Sequence, residues 1–296
     1  MILITGASGS AGGAVLDAAL GGGAKLRAMY RNPQDAGKAP GGISTVLADF
    51  ADRNSLRDAL RGIDSVYLVC GPVPQLAELE GNMIDACREA GVSHVVLSSA
   101  IGAGDFPKSF PSWHSLSERK LRDSGLAYTV LRPNGFLQNI VTYNAAGIRA
   151  QSAFYAAMGE AKVSMIDVRD VGAVAAAILR DPRPHAGKTY ELNGPEAVSN
   201  SDVAERISRV VGRRVSYVDI PEEAQQKAML DLGMPEWQVT AVLQLQEYYR
   251  NGRCAAVDGT VARLLGRPER TLDQYLRENA ASFQSRTALA SGGEIR

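Results

Sequence analysis

The chain has 296 residues, 45% hydrophobic and 22% charged, and its 32 Lys and Arg cancel its 32 Asp and Glu. That is the composition of an ordinary globular protein, and a balanced charge offers no basic field for the phosphates of a duplex, which excludes nucleic acid as the main partner. At roughly 150 residues per domain, the length fits one large α/β domain or two modest ones.

The first half alternates short apolar runs with longer amphipathic ones. Strands are expected at residues 1–5, 25–30, 44–47, 65–70, 94–98 and 127–131, each apolar enough to be covered on both faces. Helices are expected between them at 12–20, 55–61, 76–90 and 114–123. This β-α-β-α succession implies right-handed crossovers and an open parallel sheet, the Rossmann-type doubly wound α/β class. After Arg132-Pro133 the rhythm changes. Residues 134–158 read as mixed loop and helix, and 167–179 as a helix with Val171, Val174, Ala175 and Ile178 on one stripe. Strands at 188–193 and 214–219 flank a helix that Ser199-Asn200-Ser201 opens and Gly212 stops. Helices then follow at 221–232, 235–249, 257–265 and 271–283.

Three cysteines, Cys70, Cys87 and Cys254, cannot all pair and stand in no metal-ligand spacing, so a reducing compartment and no metal are expected. The longest apolar run, near residues 171–179, is about half of the ~18 residues of a membrane span. Nothing at the N-terminus reads as a signal peptide. The expectation is a cytoplasmic protein with no membrane partner.

The most informative stretch is Ile4-Thr5-Gly6-Ala7-Ser8-Gly9-Ser10-Ala11-Gly12-Gly13. Gly6, Gly9 and Gly12 follow an apolar strand and open a helix, so the backbone can turn tightly, approach a pyrophosphate and offer it N–H groups, with Ala11 small enough not to intrude. Ser8 and Ser10 add hydroxyl donors. The plainer alternative is a glycine-rich loop that merely turns. An NAD site places a carboxylate about 20 residues on, for the ribose 2′-OH, whereas an NADP site needs a cation for the 2′-phosphate. Here the second strand ends in Arg31-Asn32-Pro33, with no carboxylate until Asp35. Arg31 therefore favours NADP(H), the alternative being a solvated surface arginine. Asp49-Phe50, after the third strand, offers an acceptor for the adenine amino group and a ring to border it, although loop Asp residues also serve turns.

Taken in order, Gly6, Gly9 and Gly12, Arg31-Asn32-Pro33, Asp49-Phe50, Leu97-Ser98-Ser99, His114-Ser115-Leu116-Ser117-Glu118 and Leu131-Arg132-Pro133-Asn134-Gly135-Phe136 make the chain resemble the NmrA-like family of atypical short-chain dehydrogenases/reductases. The resemblance extends through Ile166-Asp167-Val168-Arg169-Asp170-Val171 to Leu264-Leu265-Gly266-Arg267-Pro268. Members of that family include quinone reductases, triphenylmethane-dye reductases and NADP-binding redox sensors. The resemblance implies an NADP(H)-binding Rossmann domain over residues 1–150 with 160–180 packing back on it and a smaller, mostly helical substrate-binding portion over 151–284, while the small, polar residues with Gly292-Gly293 at 285–296 read as a flexible tail. It also implies that Asn134, Gly135 and Phe136 lie alongside the nicotinamide, with Ser98 near the cofactor.

Ordinary short-chain dehydrogenases carry Tyr-x-x-x-Lys on the helix after the fifth strand, where the lysine lowers the pKa of a phenol that moves a proton. This chain has His114 and Glu118 there instead, one turn apart. His114 can move a proton near neutral pH and Glu118 can orient it or raise its basicity; the alternative is a local hydrogen-bonded pair of no catalytic consequence. Tyr248-Tyr249, with Trp237, either line a substrate cavity or pack in the core. Two functions follow. One is an NADP(H)-dependent oxidoreductase acting on a small conjugated acceptor such as a quinone, dye or imine, which delocalises incoming charge and depends little on a strong acid. The other is a non-catalytic NADP(H)-binding regulator that holds a protein partner.

Overall fold

The computed structural model describes residues 1–284; the expected tail at 285–296 lies outside them. The first half forms β1 (Ile2–Ile4), α1 (Ser10–Ala19), β2 (Leu26–Tyr30), α2 (Pro33–Ala36), β3 (Ser44–Leu47), α3 (Arg53–Ala59), β4 (Ser65–Leu68), α4 (Leu76–Glu89), β5 (His94–Ser98), α5 (Ser109–Asp123) and β6 (Tyr128–Pro133). The second half adds α6 (Ala145–Gln151), β7 (Ala153–Ala156), α7 (Val168–Arg180), β8 (Lys188–Leu192), α8 (Asn200–Val211), β9 (Ser216–Asp219), α9 (Glu222–Asp231), α10 (Glu236–Arg250), α11 (Thr260–Leu265) and α12 (Leu272–Glu278). Among the described residues no helix is long and apolar enough to cross a membrane.

The chain divides into two units, the first made of Met1–Pro133, Val168–Leu192 and Thr260–Pro268, the second of Asn134–Asp167, Asn193–Gly259 and the described residues from 269 onward. The division falls at Pro133, where β6 ends, and not at residue 150.

In the first unit, seven strands form one sheet in the order β3-β2-β1-β4-β5-β6-β8. Every pairing is parallel. Leu3, Ile4, Val66, Leu68, Val95, Leu97, Val130 and Leu131 are buried, as strands covered on both faces require. At one edge β3 departs from that expectation: Ser44, Thr45 and Leu47 are exposed, because an edge strand has one neighbour and less cover. β8, which the sequence groups with the later portion, closes the other edge beside β6. The reason is α7, the crossover between those two parallel strands. A Cβ on Gly172 would stand 2.4 Å from the Ala14 carbonyl oxygen, so α7 and α1 cross in backbone contact. Buried Asp170 of α7 then takes Arg267 at 2.7 Å, which ties down the chain just after α11.

Helix α5 begins five residues before the expected 114. Pro111 is tolerated in its opening turn because N–H groups there have no intrahelical partner to lose. The second unit packs Leu137, Ile148, Phe154, Ile207, Leu276 and Phe283 in its own core. β7, which pairs with β9 in parallel, falls in the stretch read as loop and helix. Ala-Phe-Tyr-Ala is too short for a period to show.

Candidate active site

In the first unit the order of strands reverses between β1 and β4, and there a parallel sheet opens a crevice at its carboxyl ends. Thr5 fastens that point. Its hydroxyl accepts from the Val69 N–H at 2.9 Å and donates to the Val69 carbonyl at 3.1 Å, joining the ends of the two strands. The glycine turn follows. Gly6 has φ +58°, a conformation that L side chains rarely adopt, and a Cβ on Gly12 would stand 2.2 Å from the Gly6 carbonyl oxygen. α1 therefore starts against the turn itself. Its cap, Gly9, supplies no side-chain acceptor and its first turn holds no acid. The N–H groups of Ser8, Ser10, Ala11 and Gly12 donate to no described residue, and Ser8, Gly9 and Ser10 are exposed. Undonated N–H groups at the positive end of a ten-residue helix, with no carboxylate to neutralise them, fit a pyrophosphate.

Arg31, exposed, leaves the end of β2 and lies close enough to Cys70 for its charge to act on the thiol. Burial pushes that thiol up to about 12, and Arg31 works against the rise. The nearest following acid, Asp35, is taken up locally: Asn32 caps α2 by accepting from the Asp35 N–H at 2.9 Å and donates to its carboxylate at 2.9 Å. Asp49 accepts from the Ala51 N–H at 2.9 Å, the turn role open to any loop Asp, and Phe50 packs on the core of the first unit.

At the ends of β5 and β6 the polar groups belong to side chains. Glu118 of α5, 1% exposed, receives Arg132 through Nε at 2.8 Å and Nη2 at 2.7 Å, Arg122 at 2.6 Å and the Ser99 hydroxyl at 2.6 Å. Burial alone would raise its pKa, but bonds from Arg132, Ser99 and Arg122 hold the carboxylate below its ordinary range. Ser98, one residue before, is buried at the end of β5. His114 makes no hydrogen bond to Glu118; the local pair foreseen in the sequence does not form, because the carboxylate is spent on the arginines and Ser99. His114 is buried with no partner for Nδ1. Burial outweighs the pull of Glu118 and lowers the imidazole to about 4, so it is neutral at physiological pH. With α5 starting at Ser109, His114 also lies past the opening turn where a helix dipole acts.

Two groups escaped the sequence reading. Arg132, 14 positions from its partner, had no local signal. Glu80 did: in α4 it occupies the stripe of Leu76, Met83, Ile84 and Cys87, all buried, and it is itself fully buried. Burial raises its carboxyl to about 8 while one oxygen accepts from the Cys70 N–H at 3.3 Å, holding the segment after β4.

In the second unit, Phe136 bridges Ile166 in parallel. The Gly135 carbonyl accepts from Ile166 at 2.9 Å. The Asn134 amide is engaged at both ends, accepting from the Gly135 N–H at 2.8 Å and donating to Asn193 and to the Cys254 carbonyl, each at 2.9 Å. Above Gly135 sits Tyr249 of α10, whose hydroxyl would lie 3.3 Å from a Cβ placed there. Tyr248 faces the core, as its 4% exposure shows.

The chain is 36% identical over 288 residues to an NAD(P)H azoreductase of Xenophilus azovorans, covering 96% of this chain and 99% of that one. It is 34% identical over 285 residues to a (4-alkanoyl-5-oxo-2,5-dihydrofuran-3-yl)methyl phosphate reductase of Streptomyces griseus, at 96% and 99% coverage. The NADPH-dependent quinone oxidoreductase of Escherichia coli, solved in complex with NADPH, superposes with TM-score 0.86 at 28% identity, over 94% of this chain and 99% of that one. With the NmrA-like family profile matching residues 1–276, on top of a glycine turn at the switch point of a seven-stranded parallel sheet, this chain belongs to the NmrA-like family.

Proposed function

We propose that this protein is an NADP(H)-dependent reductase that delivers hydride to a small conjugated acceptor such as a quinone, an azo or other dye, or an imine. The observation that carries the reading is the row of undonated N–H groups from Ser8 to Gly12 at the β1/β4 switch point. NADPH, when bound, supplies the hydride. Gly6, Ser8, Gly9, Ser10, Ala11 and Gly12 hold its pyrophosphate, Arg31 takes the 2′-phosphate, and Asp49 with Phe50 borders the adenine. Ser98, together with Asn134, Gly135 and Phe136, belongs to the nicotinamide end. The acceptors named for the relatives share a conjugated double bond, which accepts hydride without a strong positioned acid.

His114 and Glu118 act here as a neutral imidazole and a fixed anion. An imidazole lowered to about 4 is not an imidazolium acid at neutral pH, so His114 serves as a neutral buried side chain and Glu118 fixes Ser99 and Arg132. The acceptor takes its proton from water.

The test is NADPH consumption against a panel of a quinone, an azo dye, a triarylmethyl dye and a cyclic imine. Turnover with at least one is expected, and a flat trace across all four with intact NADPH binding overturns the reading in favour of a regulator. Arg31→Ala should weaken NADPH by about tenfold to a hundredfold, a lost charge-assisted contact, and leave NADH nearly unchanged in a calorimetric titration. Equal losses for both would remove Arg31 from the site.

A further inference from the structure

The sequence leaves open whether Tyr249 is core or cavity, and the reductase reading leaves it without a task. Its hydroxyl would stand 3.3 Å from a Cβ placed on Gly135, and a Val163 methyl 3.7 Å from the same position. The polar groups of Asn134 and Gly135 beside it are spent. Both ends of the Asn134 amide are bonded inward, and the Gly135 N–H and carbonyl are paired with Asn134 and Ile166. The Tyr249 hydroxyl bonds to no described residue, and the side chain remains partly exposed. An unspent, partly exposed donor beside a backbone segment whose own polar groups are paired is the arrangement that orients a ligand.

We propose that Tyr249 is a catalytic residue of the reductase, its phenol donating a hydrogen bond to the acceptor oxygen or nitrogen on which negative charge develops. This rests on the reading of the Asn134 to Phe136 segment as the nicotinamide end. When hydride adds at one end of a conjugated acceptor, the π electron pair moves to the heteroatom at the other end, and water then protonates that anion. NADPH, a proton and the acceptor thus give NADP+ and the reduced acceptor. The Tyr249 O–H stabilises the anion without being consumed, which asks that it stay protonated. Burial, together with the neighbouring Cys254 and Tyr248, drives its pKa upward, so it is a phenol throughout the working range. A donor already aimed at the site of developing charge costs no reorganisation during reaction.

The proposal separates acceptor classes. A quinone or azo dye becomes an anion on taking hydride, whereas a triarylmethyl cation becomes neutral and needs no donor. Tyr249→Phe, checked for unchanged melting temperature and NADPH affinity, should lower kcat for the quinone and the azo dye by about 10- to 100-fold and leave the triarylmethyl dye within about twofold. A binding readout stands beside it. Tyr249→Phe should weaken 4-nitrophenolate by about tenfold and leave its neutral methyl ether unchanged. Equal loss for all acceptors, or no loss for quinone and azo dye, overturns the proposal, as does an unchanged affinity for the phenolate. If the unmodified protein turns over none of the dyes yet shows the phenolate difference, the reductase reading has failed and the donor role of Tyr249 survives it.

Discussion

The two halves of the carboxyl edge of the first unit are built from different materials. At β1, β2 and β4 the working surface is main chain: a left-handed glycine, a helix start pressed against it, and N–H groups that answer to nothing inside the protein. At β5 and β6 it is side chain, a buried carboxylate shared by two arginines and a serine, beside a histidine that burial keeps neutral. The first arrangement leaves its electrostatic demand for a ligand to meet. The second satisfies its own charges and presents a fixed shape. An anion site is thus made by withholding partners, and a rigid wall by supplying them.

The largest expected effect lies on the satisfied side. Glu118→Gln leaves Arg132, 17% exposed, with only the more distant Glu191 carboxylate at 3.9 Å, and breaking a buried pair from one side costs about 3–5 kcal/mol. Urea unfolding should show that loss; a drop below 1 kcal/mol would mean that the network is decorative. Next comes the unsatisfied side, where the same chemistry runs backwards. Ser10→Asp places a carboxylate on the exposed first turn of α1, which should hold or slightly raise the melting temperature through the helix dipole while weakening NADPH about a hundredfold. Were both to fall together, the turn would be a folding element and not a phosphate cradle.

The smallest effect concerns Glu80, a buried acid whose carboxyl sits at about 8 against an ordinary value near 4.5. A raised folded pKa contributes stability that is complete below the unfolded value and lost as pH climbs through the folded one. Glu80→Gln mimics the protonated acid at every pH. Its stability relative to the parent should therefore rise by about 2 kcal/mol between pH 5 and about pH 6.5, read from paired denaturation curves. His114, depressed to about 4, loses stability in the opposite direction, as pH falls below its unfolded value near 6.5, but it is present in both proteins and cancels. A pH-independent difference would show that Glu80 is already ionised in the fold.

This contrast also explains what the sequence discloses. The backbone-built end is local: Gly6, Gly9 and Gly12 lie within seven residues and declare their geometry by residue type, as do the six apolar runs that became β1 to β6. The side-chain end is assembled over distance. Glu118 meets Arg132 across a strand, and no spacing rule links them, so the carboxylate looked available to His114 until the arginines were in view. β8 was recognisable as a strand but not as a member of the first sheet, since membership depends on where α7 carries the chain. Gly172 could have hinted at it, a glycine inside an otherwise apolar helix where the Ala14 backbone must come close.

That route of the chain bears on how the protein is made. The first unit receives its last strand only at Leu192 and its last helix only with residues 260–268, after two passages through the second unit. Synthesis runs from the N-terminus at about 5–20 residues per second, so for many seconds β6 stands with an unpaired edge and α1 lacks the helix that packs on it. Neither unit can finish on the ribosome before the other has largely emerged. The glycine turn thus precedes by well over a hundred residues the helix that packs on α1, and a fragment cut near residue 150 would keep the motif while losing α7.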